Sequence, residues 1–133
     1  MKFCNKYKKP SLFIVGNVSM FSLQLNMEIN EKSNYTVYVY NSAEDALQEL
    51  QSIQPKIVIL DSFPGKGMNG QQAIIAIKSL LPEVYSIILS SNNDADTAID
   101  LIKSGADSFI YKKENVIEEI VDEILSVNSN QFV

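Results

Sequence analysis

Three polar residues close three apolar runs. Asp61 follows Ile57-Val58-Ile59-Leu60, Ser90 follows Ile87-Ile88-Leu89, and Lys112 follows Phe109-Ile110-Tyr111. If these runs are adjacent strands of one sheet, a carboxylate, a hydroxyl and an ammonium meet on one rim. Such a set suits acceptance of a phosphoryl group, with the carboxylate as nucleophile and the other two stabilising the oxygens of the transferred group. A plainer arrangement uses the same residues: polar strand ends are solvated, and a lysine beside an aspartate forms an ion pair of small net worth. Other chemistries fall away. The chain has no histidine, which removes nucleophile–histidine pairs, histidine metal sites and histidine phosphoacceptors. Its single cysteine, Cys4, excludes an intrachain disulfide and a cysteine zinc cluster.

The elements that would position this trio recur along the chain as short apolar runs, each followed by a longer segment with apolar residues three to four apart. The five strand candidates are 11–15, 35–40, 56–60, 84–89 and 108–111. The runs at 57–60 and 87–89 are apolar without alternation, which suits parallel strands covered on both faces. Helical stripes are formed by Ala43, Ala46, Leu47, Leu50 and Ile53, entered through a Ser42–Asp45 capping box. Another, closed by Pro82, comprises Ala73, Ile74, Ile77 and Leu81. A third carries Ala98, Ile99 and Ile102, with Gly105 as its C-terminal cap, and the last runs through Val116, Ile117, Ile120, Val121, Ile124 and Leu125.

One segment resists the scheme. Phe21, Leu23, Leu25, Met27 and Ile29 alternate with polar residues, which reads as a strand and would make 21–40 a hairpin. Leu, Met, Gln and Glu favour helix, however, and a link between parallel neighbours needs a crossover of a dozen residues or more. The segment 19–31 is therefore read as a helix. Five strand–helix alternations give an α/β fold, a three-layer doubly wound sandwich on a five-stranded parallel sheet. Ligands of such sheets bind beyond the carboxyl ends of the strands.

A chain of 133 residues with 46% hydrophobic and 20% charged residues is of single-domain size and ordinary globular balance. All 11 basic residues are lysines, and Lys2, Lys6, Lys8 and Lys9 crowd an acid-free start. The remainder is thus more acidic than the net charge of -5 suggests. An acidic, arginine-free body is a poor nucleic-acid binder. The apolar stretch 12–15 is too short for a signal peptide or a membrane span, so no membrane contact is expected and a cytoplasmic location is. Residues 1–10 are read as a flexible tail, 11–126 as one domain and 127–133 as a C-terminal tail.

Over 11–126 the chain resembles the receiver domain of bacterial response regulators, of the kind found in the chemotaxis regulator. The resemblance rests on Ile57-Val58-Ile59-Leu60-Asp61, Met68-Asn69-Gly70, Ile87-Ile88-Leu89-Ser90-Ser91 and, most specifically, Gly105-Ala106-Asp107-Ser108-Phe109-Ile110-Tyr111-Lys112. It implies a flavodoxin-like sheet of order 2-1-3-4-5. Asp61 falls at the phosphoacceptor position, Ser90 at the hydroxyl that contacts the phosphoryl group, Lys112 at the family's lysine and Phe109 at its aromatic switch. The implied signalling surface is formed by 92–104, 108–112 and 114–126. A non-enzymatic role in phosphorelay signal transduction follows, with a sensor histidine kinase or phosphotransfer protein upstream, a protein target downstream, and a homodimer through the 92–126 face.

The departures are as informative. Receivers carry two adjacent acids after the first strand to hold magnesium; here Gly16-Asn17 stands there. Lys113 replaces the usual proline, and 62–69 is one residue longer than is usual, a glycine-rich loop containing Phe63-Pro64-Gly65-Lys66-Gly67. The metal ligands that the resemblance leaves are Asp61, the Asn17 amide oxygen and the Phe63 backbone carbonyl. With one carboxylate opposed by Lys112, magnesium binding is expected to be weak or absent and phosphorylation slow. Two alternatives stay open: a phosphorylation-independent pseudo-receiver acting as a protein-interaction module, and a flavodoxin-like cofactor-binding protein, against which the missing glycine fingerprint counts.

Overall fold

The central run Ile57-Val58-Ile59-Leu60 is wholly buried, as a β-branched, unalternating strand must be when helices cover both its faces. A computed structural model describes residues 9–61 and 68–130, with side chains described as far as Val127. The elements in chain order are β1 (Ser11–Val15), α1 (Met20–Lys32), β2 (Thr36–Tyr40), α2 (Ala43–Ile53), β3 (Ile57–Leu60), α3 (Gly70–Leu80), β4 (Tyr85–Ser90), α4 (Ala95–Lys103), β5 (Ser108–Tyr111) and α5 (Val116–Asn130). The five strands pair in parallel in the order β2-β1-β3-β4-β5, the flavodoxin-like order that the resemblance implies. Alternate residues of each strand feed two cores. Leu12, Ile14, Ile57 and Ile59 pack with Leu25 and Ile29 of α1 and Ile120 and Ile124 of α5. On the opposite face, Phe13, Val15, Val58 and Leu60 pack with Leu50 of α2, Ile74 and Ile77 of α3 and Leu101 of α4.

The ambiguous segment is a helix. Ser19 and Ser22 form a reciprocal capping box, and the buried positions of α1 are Ser22, Leu25 and Ile29, three and four residues apart. Because β1 and β2 are parallel, the link had to be a crossover, and a hairpin was excluded by topology. The period-two pattern arises because α1 is apolar on its outer side too, where Leu23 and Met27 are exposed.

Four expectations need correction. The helix α5 runs to Asn130, so 127–130 is not a tail; Val127 continues the stripe of Ile120 and Ile124 onto the core. At the other end, the Pro10 carbonyl accepts from Thr36 N–H, so Pro10 already belongs to the sheet frame. In α4 the inward anchor is Leu101, against Gly70 of α3, while Ile99 and Ile102 are 50% and 45% exposed. The Ser42–Asp45 box forms only in its serine half, with Ser42 accepting from Asp45 N–H. Helix α4 ends as expected at Gly105. The Ala106 N–H bonds to the Leu101 carbonyl and the Gly105 N–H to the Ile102 carbonyl, a Schellman arrangement around a residue with φ of +123°.

Candidate functional site

The carboxyl ends of β3, β4 and β5 meet on one rim because the strands are in register. Leu60 pairs with Ile88, Ser90 with Tyr111, and the Lys112 N–H donates to the Ser90 carbonyl at 2.7 Å. Asp61 and Lys112 are thereby the first residues past their strands, whereas Ser90 is the last residue within its own. The Lys112 Nζ stands 2.5 Å from Asp61 Oδ1, with the lysine and aspartate side chains 24% and 11% exposed. The ammonium also lies 4.5 Å from the centre of the Phe21 ring, so it is held between a carboxylate and an aromatic face on the α1 side.

Asp61 and Ser90 line one open cleft of about 290 Å³ between α3 and α4, together with Asn69, Gln71, Thr97 and Asp100. Asn69 is the N-cap of α3 and forms a reciprocal box with Gln72. Asp94 caps α4, taking the Asp96 N–H and the Thr97 hydroxyl. The Ser90 hydroxyl is turned into its own loop, donating to the Asn92 carbonyl and accepting from the Asn92 N–H, both at 3.0 Å. Phe109 pairs with Ile88 and is half-buried against the core on the α2–α3–α4 side.

Gly16 is buried beside the trio and Asn17 is exposed. The Gly16 N–H donates to the Tyr40 carbonyl, and the Asp61 N–H donates to the Val15 carbonyl. Gly16 has a φ of +148°, and a Cβ built there would stand 2.7 Å from the Asp61 Cβ. An L side chain at position 16 is therefore excluded in this backbone twice over, by torsion and by contact. The Phe63 carbonyl and Lys66 lie outside the described residues. Among the described residues, no group of three His, Cys, Asp or Glu side chains is placed to hold a metal ion.

The sequence trio is thus brought together at the rim. Sequence reasoning missed Phe21 beneath Lys112 and the contact role of Gly16. A signal for each existed: helices of a parallel sandwich start at the carboxyl rim, so the first turn of α1 had to face the site. A glycine directly after a strand often marks a close backbone approach.

The sequence profile of the response regulator receiver domain family matches residues 13–125. The chain belongs to that family. It is 31% identical over 94 residues to the nitrogen assimilation regulatory protein NtrX of Azorhizobium caulinodans, covering 70% of this chain and 21% of that protein. It is 25% identical over 77 residues to the regulatory protein LuxO of Vibrio cholerae, covering 57% of this chain and 16% of that protein. The chain therefore spans about a fifth or less of these two relatives. Among solved structures, it superposes on a CheY-like receiver domain protein of Methanospirillum hungatei with a TM-score of 0.82 at 16% identity, covering 93% of this chain and 97% of that one. A LuxR-family DNA-binding response regulator of Staphylococcus aureus gives 0.77 at 22% identity, covering 90% and 98%. The receiver is a module of two-component signalling, and no helix among the described residues is long and apolar enough to cross a membrane. With this membership, the cofactor-binding alternative loses its support.

Proposed function

We propose that this receiver domain works in a phosphorelay with Asp61 at the phosphoacceptor position and a magnesium site weakened by Gly16-Asn17. In this reading, an Asp61 oxygen attacks phosphorus, the bond from phosphorus to the donor breaks, and the donor leaves with the bonding electrons. Lys112, already at the carboxylate, balances charge on the transferred oxygens. Ser90 exchanges its loop contacts for one of those oxygens, and Phe109 follows it inward. The surface from 92 to 126 then meets a downstream protein, and a sensor histidine kinase or phosphotransfer protein supplies the phosphoryl group. Its acidic, arginine-free composition supports neither a nucleic-acid nor a membrane contact, and suits a cytoplasmic protein.

The observation that carries the weakened site is that a Cβ added at Gly16 would stand only 2.7 Å from the Asp61 Cβ. The first position of the usual acidic pair holds no side chain, the second holds a neutral amide, and the remaining carboxylate is paired with Lys112. Magnesium sheds water reluctantly and favours carboxylate oxygens, so these residues fit it poorly and no step is drawn through it. The same geometry favours a second reading, in which Asp61 and Lys112 simply fasten the rim and the domain docks to proteins without phosphate.

The test is incubation with acetyl phosphate and magnesium, read by intact mass, on the wild type, Asn17→Asp and Asp61→Asn. The proposal expects a slow gain of one phosphoryl group, none in Asp61→Asn, and in Asn17→Asp about tenfold tighter magnesium binding by calorimetry with faster labelling. If neither the wild type nor Asn17→Asp takes the group, the docking reading replaces it. Wild-type magnesium affinity equal to that of Asn17→Asp removes the weakened site.

A further inference from the structure

The edge strand β2 differs from the other edge of the sheet. Strand β5 is bracketed by Asp107 on one side and Lys112 and Lys113 on the other, whereas residues 33–43 around β2 contain no charge, proline or glycine. Charges, prolines and bulges are the usual devices that keep an open edge from pairing, and β2 has none of them. Among the described residues, no strand lies on its outer side.

Its backbone polarity is fixed by the pairing with β1. The Thr36 N–H donates to the Pro10 carbonyl and the Tyr40 carbonyl accepts from Gly16 N–H. In a parallel ladder the residues that bond one neighbour alternate with those that face away. Thr36, Tyr38 and Tyr40 therefore face β1, and the N–H and C=O groups of Val37 and Val39 face outward. Val39 is 37% exposed, while Tyr38 and Tyr40 pack around Phe13 with ring centres 5.8 and 4.7 Å from it.

We infer that β2 pairs with β2 of a second copy, antiparallel about a two-fold axis at Tyr38. In that register Val37 of each copy faces Val39 of the other and exchanges two backbone hydrogen bonds, giving four in all. Tyr38 meets Tyr38 as the close, non-hydrogen-bonded pair. The strand is self-complementary: its outward groups lie symmetrically about Tyr38, its side chains are β-branched or aromatic, and it brings no like charges together. A two-fold pairing uses both edges at once and stops at two copies. It leaves the 92–126 face of each copy free, because β2 and β5 are opposite edges of the sheet. A five-residue pair spans only about 17 Å and buries less than the roughly 1,200 Å² of stable complexes, so the dimer is weak and reversible.

Sedimentation velocity of the full chain, from tens of micromolar to about one millimolar, reads the dimer directly. Amide hydrogen exchange reads its register. The inference expects protection at Val37 and Val39 to rise with concentration, and that at Tyr38, already bonded to β1, to stay constant. Salt strengthens the dimer by screening two net-negative bodies. Val39→Lys weakens it at least about tenfold, and Val39→Pro, which removes one outward N–H and no bond to β1, does the same. Circular dichroism checks that both variants keep the fold. A chain that stays monomeric at a millimolar overturns the inference. So does a dimer indifferent to both Val39 variants, or one lost instead in Ile99→Lys, which would put the second copy on the α4 face.

Discussion

Two aspartate–lysine pairs, one at each end of the sheet, are each set against a glycine of positive φ. At the carboxyl rim, Lys112 meets Asp61 at 2.5 Å beside Gly16. At the amino ends of β4 and β5, Lys78 meets Asp107 at 2.7 Å, and a Cβ on Gly105 would stand 3.2 Å from Lys78 Cγ. The second pair is closed by the frame. Asp107 Oδ2 also accepts from the Ser86 N–H at 2.8 Å and the Ser86 hydroxyl at 3.2 Å, and the Lys78 ammonium donates to the Val84 carbonyl as well. The first pair borders a cleft, its lysine rests on an aromatic face, and the nearby Ser90 hydroxyl is engaged, among the described residues, within its own turn. Similar chemistry thus sits in different surroundings: one pair is tied into the backbone frame, and the other borders a cleft.

The glycines break this comparison most forcefully. Gly16→Ala forces a Cβ against the Asp61 Cβ at a φ of +148° and is expected to cost about 2–4 kcal/mol in urea unfolding. Gly105→Ala is also strained, at +123°, but meets the flexible Lys78 chain and is expected to cost about 1–2 kcal/mol. Equal costs would mean that the rim backbone relaxes and that Gly16 does not hold its space. The aspartates come next. Asp107→Ala strips a partner from the N–H of fully buried Ser86 and is expected to cost about 2 kcal/mol. Asp61→Asn keeps the shape and leaves Lys112 partly solvated over Phe21, so its stability should stay within about 1 kcal/mol of wild type. A larger loss from Asp61→Asn than from Asp107→Ala would make the rim pair the more firmly tied of the two.

The sequence announced the first end better than the second. Asp61, Ser90 and Lys112 each end an apolar run, so their convergence needs only that β3, β4 and β5 lie side by side, the order that the family resemblance implies. Gly105 and Asp107 were legible as a motif, but Lys78 reaches Asp107 across 29 residues, and nothing local marks that contact. The helical character of α1 was decided by topology over periodicity, since its outer face is nearly as apolar as its inner one. Gly16 was legible as a missing acid but not as a spacer, because torsion and a cross-strand contact appear only in three dimensions. The stripe of α4 misled in detail: Ile99 and Ile102 are apolar yet outward, and apolar residues on a surface carry no marker of direction.

The smallest effect lies at alkaline pH and, through Tyr85, bears on the amino end. The Tyr85 hydroxyl donates to the Glu123 carboxylate at 2.9 Å. Its pKa is pushed up to about 12 by burial first, then by that bond and by the negative charges of Glu123 and Asp107. The unfolded chain releases the tyrosine proton near the ordinary value of 10.0, while the folded chain still holds it. Between these values the unfolded state binds fewer protons, so stability falls as pH rises and is complete only below about pH 10. Urea midpoints followed from about pH 8 to about pH 11 should therefore descend less steeply in Tyr85→Phe. The descent does not vanish, because burial raises Tyr35 and Tyr40 as well. Asp107→Ala, which removes one of the charges that hold the proton on Tyr85, should flatten the same limb slightly. Asp61→Asn should leave it unchanged, since Asp61 is not among the groups acting on Tyr85. An alkaline limb that moved with Asp61 would couple the two ends of the sheet and dissolve the distinction between them.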